Sequence, residues 1–380
     1  MIQIQQEQPL RVLMVTPRFF PFMGGIETHV YEVGRRLAHD GVEVTILTTR
    51  PRTSSETLLR EEYIAGMRVL RVHSWPAERD YHIAPAMYGF IQQSKWDLIH
   101  CQGCHTFVPP LAMLAAQQAH VPYVVTFHTG GNSSRLRVAI RDTQWYVQRS
   151  LLQGAAKLIG VSHFEANYFR TLLRLSHKRF TVIPNGGTTL PDVDISTMQT
   201  SPLIISLGRL ERYKGHHRLI MALPAIREQR PDARLLILGV GPYEAELRTL
   251  AQHVGMAEHV DIRSVPADER KAMAEILSQA SVVALLSEYE AHSVAVMEAL
   301  ALRRPVLVAD TSGMSELAQQ GLVRAIPLAS SSAEIAHAVV QQIEEPLVPP
   351  ADIVLPTWDA CAEQVRAVYS QCLRERVCVS

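Results

Sequence analysis

Short, uninterrupted apolar runs separated by helical segments constrain this chain more than any other feature. RVLMVTP (11–17), VEVTILTT (42–49), MRVLRV (67–72), DLIHC (97–101), VPYVVTFHTGG (121–131), AKLIGVS (156–162) and FTVIPNGG (180–187) form a first series. LIISLGRL, ARLLILGVGP (233–242), VDIRSVP (260–266), SVVALLS (281–287) and PVLVAD form a second. Apolar runs without alternation suit strands buried on both faces, and strands that alternate with helices build parallel sheets with helices on both sides. A chain of 380 residues exceeds one ordinary core, and a prior of about 150 residues per domain gives two. Gly187 to Pro202 is rich in turn formers and reads as the connection. The expected organisation is therefore a first α/β domain over 1–190 joined by a C-terminal helix near 357–375, and a second over 200–350.

Lys plus Arg and Asp plus Glu both number 37, so nothing in the overall charge selects a nucleic acid as partner. MIQIQQEQPL has no signal-peptide core, and no run approaches the ~20 apolar residues of a membrane span, so a cytoplasmic chain is expected. Five cysteines do not make a disulfide framework in a chain of this size. Cys101-Gln102-Gly103-Cys104-His105 matches the c-type haem attachment spacing, but it lies in a strand-to-helix loop without an export signal and reads better as chance. Residues 133–152 carry Arg135, Arg137, Arg141 and Arg149 against Asp142 alone, with Trp145 and Tyr146 among them. Such a segment suits either peripheral contact with an anionic membrane on its inner face or an ordinary solvated helix.

The stretch from Ser287 to Leu317 holds the most chemistry. Strand SVVALLS, an acidic loop with Glu288 and Glu290, a helix carrying Glu298 among Val294, Met297, Leu300 and Ala301, and strand PVLVAD make one βαβ unit. In open α/β sheets ligands bind beyond the carboxyl ends of the strands, where Glu290 falls. Glu298 lies on an apolar helix face, so its carboxylate needs a partner, and ribose hydroxyls would supply one.

Other candidates occupy equivalent loops. G-R-L-x3-K-G places Arg209 and Lys214 between flanking glycines after a strand, where two fixed cations could hold a diphosphate. Gly24 and Gly25 open a helix whose backbone N–H groups could approach an anion, although taken alone a tight turn without ligand is the simpler account of them. His128 sits at the carboxyl end of a strand before a glycine pair, where open α/β sheets place ligand contacts.

These motifs resemble the retaining glycosyltransferases of family 4. Glu290 and Glu298 stand at the family's two glutamate positions, and G-R-L-x3-K-G matches its basic loop. Gly313 and Glu316 match its glycine-rich turn and helix-capping glutamate. Ala291, His292 and Ser293 depart from its usual Gly-Phe-Gly, and Arg303 from its usual Gly, which leaves the donor sugar open. The resemblance implies the GT-B fold: two doubly wound Rossmann-like domains facing a central cleft. It implies transfer of a sugar from a nucleotide-diphosphate sugar to an acceptor hydroxyl with retention of configuration, without cofactor or metal. The acceptor would be a sugar, lipid or small molecule. On this reading His128 lines the donor sugar with Glu290, Arg209 and Lys214 bind the leaving diphosphate with Gly24 and Gly25, and Glu298 binds ribose. Gly241, His292, Ser293 and Val294 complete the donor site. A sugar-nucleotide 2-epimerase and a non-catalytic sugar-nucleotide binder are the alternatives.

Overall fold

In the computed structural model, which describes residues 9–22, 24–50, 58–75, 83–129, 143–187, 201–266, 269–350 and 353–377, the two series of apolar runs form two sheets. The first contains β1 (Arg11–Val15), β2 (Glu43–Arg50), β3 (Glu61–Ile64), β4 (Met67–His73), β5 (Leu98–Gln102), β6 (Tyr123–Thr126), β7 (Lys157–Gly160) and β8 (Phe180–Val182), in the order 3-4-2-1-5-6-7-8. The second contains β9 (Leu203–Leu207), β10 (Arg234–Leu238), β11 (Val260–Arg263), β12 (Val282–Leu285), β13 (Val306–Ala309) and β14 (Arg324–Ile326), in the order 11-10-9-12-13-14. Every pairing is parallel except β3 with β4. Strands at the centre, such as Val12 to Val15 and Val282 to Leu285, are buried along their whole length, as two-faced coverage requires.

The apolar-run reading does not contain β3. EEYI alternates half-buried and exposed residues at the sheet edge, and it returns to β4 through Ala65 and Gly66, whose φ angles of 48° and 82° fit a two-residue hairpin. The haem reading of the cysteine pair fails on burial. Cys101 and Cys104 are both fully buried in the apolar core with Val108, Met113 and Phe127, which leaves no room for a macrocycle at their sulfurs.

In both sheets the strand order reverses beside the first strand, between β1 and β5 and between β9 and β12. Loops leaving adjacent strands diverge there to opposite faces, which opens a crevice at the carboxyl ends. The chain returns from the second half through Pro356, whose carbonyl accepts from Gly187 N–H at 2.8 Å, into the helix Trp358–Val377. That helix packs on the helix Gly25–His39 of the first half, burying Trp358, Val365 and Tyr369 beside Val12, Met14, Val33 and Leu37. Tyr369 Oη meets His100 Nδ1 at 2.6 Å, and Asp359 pairs with Arg36.

The C-terminal helix is thus part of the first core. Trp358 is 1% exposed, and truncation to Ala should destabilise the protein by about 3–5 kcal/mol through the cavity it leaves. The exposed Arg374 on the same helix should change by less than about 0.5 kcal/mol when replaced by Ala. Denaturant unfolding of the two variants checks this, and equal effects would show that the helix is not anchored by Trp358.

Candidate functional site

Three loops of the second sheet are locked together at the β9/β12 crevice. After β9, Gly215 has a φ of 77°, and a Cβ there would collide with the carbonyl of Leu286 at the end of β12; only glycine lets the two loops touch. Glu288 N–H donates to the Tyr213 carbonyl at 2.8 Å and Leu210 N–H to the Val240 carbonyl at 3.0 Å, which ties in the loop of Gly241. His216 is buried between Ser206 Oγ (2.8 Å) and the Arg209 carbonyl (3.2 Å), fixing the start of the basic turn.

This framework sets Lys214 Nζ 2.5 Å from Glu290 Oε1, with the two side chains only 16% and 10% exposed. Burial alone would push the ammonium's pKa down, but the Glu290 carboxylate beside it holds it above its ordinary value. Glu290 is fixed from the other side: its N–H donates to Ser312 Oγ at 2.8 Å, and its carbonyl accepts from Gly313 N–H at 2.9 Å. A Cβ at Gly313 would strike the Ala291 carbonyl. Arg209 lies at the same turn, 45% exposed, with its guanidinium 3.0 Å from Glu211.

Ser293 caps the helix Val294–Ala301 by accepting from Val296 N–H at 3.4 Å. Glu298, 7% exposed, pairs with Arg270 from the helix Arg270–Ser278. Where the sequence points to ribose as the partner of that carboxylate, the structure gives it Arg270, which lies 28 residues away with no local signal linking the two.

Across the cleft the first sheet contributes buried polar groups at the ends of β5 and β6. His128, with a φ of 50°, places Nε2 2.8 Å from Gln102 Oε1. Glu165 is fully buried and accepts from Val161 N–H (2.8 Å), Thr129 N–H (2.6 Å) and Thr129 Oγ1, so it holds the turn that carries His128. Burial raises its pKa despite these donors. His29 stands edge-on to His128 at 4.4 Å between ring centres and meets Asn185 Oδ1 at 2.9 Å. Burial pushes its pKa down to about 4 and that of His128 well below the usual range, so both imidazoles are neutral at physiological pH.

Hydrogen bonds join the halves. Asn185 Nδ2 donates to the His292 carbonyl at 3.1 Å, and Tyr289 Oη to Thr129 Oγ1 at 3.2 Å, which brings the neighbours of Glu290 and His128 together. Glu316 accepts from His163 N–H at 3.2 Å and from Phe164 N–H. It caps a helix of the opposite half, a partner that its own sequence neighbourhood does not reveal.

At the β1 crevice the helix starts at Gly25, with Gly24 as its extended, uncapped N-cap. Glu27 Oε2 approaches Gly24 closely enough that a Cβ there would clash. Burial raises the Glu27 pKa, against the charges of Arg18 and Arg209. An anion bound at this helix start would therefore share it with a carboxylate. Of the basic segment, Arg135, Arg137, Arg141 and Asp142 lie outside the described residues. Trp145 is 2% exposed, edge-on to Phe169 at 4.8 Å, and so is core rather than a surface anchor; Tyr146 is exposed. Among the described residues no group of three or more His, Cys, Asp or Glu is arranged to hold a metal ion, and no helix is long and apolar enough to cross a membrane.

Residues 23–188 match the profile of Glycosyltransferase Family 4, and residues 194–351 that of Glycosyl transferases group 1. The chain is 25% identical over 401 residues to a D-inositol 3-phosphate glycosyltransferase of Nocardiopsis dassonvillei, covering 93% of this chain and 91% of that one. It is 24% identical over 382 residues to a phosphatidyl-myo-inositol mannosyltransferase of Mycobacterium leprae, covering 95% and 96%. Among solved structures, HepE of Anabaena in complex with UDP-glucose superposes with a TM-score of 0.68 at 19% identity, covering 98% of this chain and 100% of that one. The two profiles meet at the connection between the two sheets, and the chain belongs to glycosyltransferase family 4, with the GT-B architecture of two Rossmann-like α/β halves.

Proposed function

We propose that the protein transfers a sugar from a nucleotide-diphosphate sugar to an acceptor hydroxyl with retention of configuration, in the synthesis of a glycolipid, glycan or glycoside. The observation that carries this is the Lys214–Glu290 pair at the β9/β12 crevice, tied through Tyr289 and Thr129 to the turn that bears His128. The relatives' names supply the substrate classes: inositol phosphate and phosphatidylinositol acceptors, and a neighbour that holds UDP-glucose.

As the glycosidic bond breaks, the sugar ring becomes oxocarbenium-like and the leaving diphosphate gains negative charge. Groups preorganised at the place where charge develops stabilise the transition state more than the ground state. Lys214, held in place by Glu290, and the more exposed Arg209 stand on one loop for the diphosphate. Before donor binds, Glu290 neutralises Lys214; an incoming diphosphate offers the ammonium a second anion and leaves the Glu290 carboxylate beside the cationic ring. The acceptor hydroxyl approaches from the same face as the departing diphosphate, whose oxygen takes its proton. The positive charge that a metal would otherwise supply comes on this reading from the protein.

The test is turnover of UDP- and GDP-sugars with inositol phosphate and phosphatidylinositol acceptors, in EDTA, with the product's anomeric configuration read by NMR. Retention, and a loss in kcat/KM on the order of 10²-fold in Arg209→Ala and Lys214→Ala, is expected. Inverted product, epimerised sugar without acceptor, or wild-type rates in both variants would contradict the proposal.

Glu290 and Glu298 should fail differently. Glu298 would hold ribose, which does not change in the reaction, so Glu298→Gln should raise the donor KM more than it lowers kcat. Glu290 faces the centre where charge develops, so Glu290→Gln should lower kcat with a smaller change in KM. Steady-state kinetics beside melting curves decide the matter, and activity lost only in step with unfolding would remove both from the donor site.

A further inference from the structure

Among the described residues, three buried nitrogens of the cleft network have no hydrogen-bond partner: His29 Nε2, Gln102 Nε2 and His292 Nδ1. Gln102 is 0% and His29 1% exposed. These atoms belong to one connected set. Gln102 bonds His128 through its other amide atom, His128 lies against the His29 ring, and His29 reaches the His292 carbonyl through Asn185. A buried polar atom without a partner is costly and uncommon in a native fold, and three in one set, at the junction of both halves and beside the Glu290 loop, indicate groups that a ligand completes.

We propose that His29, Gln102 and His292, together with His128, form a wall that reads the hydroxyls of the transferred sugar, and that this sugar is uncharged. The inference rests on the sugar-transfer reading above and adds its substrate class. The set offers imidazole and amide groups, which exchange hydrogen bonds with hydroxyls as donor or acceptor, and it contains no cation. A carboxylate brought against these four groups would find no counter-charge among them. Burial keeps the imidazoles of His29 and His292 neutral, each with its pKa lowered to about 4, so they supply no such charge at physiological pH. His292 takes the place of a residue that is usually Phe in the resembling family, so the polar edge of this wall departs from the usual pattern.

The experiment is calorimetric binding to the full chain of UDP, GDP, UDP-glucose, UDP-galactose, UDP-N-acetylglucosamine and GDP-mannose, with UDP-glucuronic acid and GDP-mannuronic acid as anionic counterparts. At least one neutral sugar nucleotide should bind tighter than its bare nucleotide, and the uronate on the same base should bind about tenfold weaker than that sugar or worse. Gln102→Leu and His292→Phe should each weaken binding of the sugar nucleotide about tenfold, the loss of one hydrogen bond from a buried partner, while leaving affinity for the bare nucleotide unchanged. A uronate that binds best, or variants that keep the gain from the sugar or lower bare-nucleotide affinity equally, would overturn the inference; in those cases water or packing satisfies the three nitrogens. Binding of neither nucleotide would instead remove the transfer reading on which the inference stands. The wild-type comparison decides the charge of the sugar even if a variant does not fold.

Discussion

The Lys214–Glu290 ion pair is the interaction on which the rest of the site depends. Desolvating two charges is expensive, and a buried pair often contributes less to stability than apolar groups of the same size would. Its presence at a strand-order reversal therefore asks for a functional explanation. The structure around it explains how it is held. Gly215 and Gly313 allow backbone contacts that any side chain would block, Ser312 clamps both backbone groups of Glu290, and His216 fixes the carbonyl of Arg209. Loops that would otherwise be adaptable are made into a rigid mount for one ammonium and one carboxylate.

The opposite wall is built on another principle. Where the β9/β12 crevice presents charge, the groups around the end of β6 are neutral histidines, an amide and the buried Glu165, which holds a turn rather than facing a ligand. The charged wall suits a diphosphate and the neutral wall suits hydroxyls, and a sugar nucleotide has one at each end. Local polar contacts join the halves, Asn185 to His292, Tyr289 to Thr129, and Glu316 to the helix start at His163, beside the Phe164–Tyr289 ring contact and Val294 packed on the first core. Polar contacts of this kind are characteristic of domains that move relative to one another, and those of Tyr289 and Thr129 lie next to Glu290 and His128.

The fold was legible because buried parallel strands leave continuous apolar runs, and the loops that follow them are the place where such sheets bind ligands. Arg209, Lys214 and Glu290 could be named for the same reason: each stands a few residues after a strand that periodicity identifies. What escaped the sequence depends on distance in the chain. Glu165 follows Ser162 at the spacing of a helix capping box, and Ser162 Oγ does accept from Glu165 N–H at 3.2 Å; its carboxylate, however, serves Thr129, 36 residues earlier. Arg270, Asn185 and His29 likewise act on residues that only the fold brings near. β3 escaped because its half-exposed alternation at a sheet edge resembles a polar loop, and Trp145 because an aromatic in a basic segment looks the same whether it faces solvent or core.

The central claim is that the crevice between β9 and β12 is an anion site built on Lys214. A crystal structure with a bound nucleoside diphosphate, UDP or GDP, tests it most directly. The account predicts phosphate oxygens within hydrogen-bonding distance of Lys214 Nζ and the Arg209 guanidinium, with Glu298 on the ribose. A diphosphate bound elsewhere, with Lys214 still paired only to Glu290, would contradict it.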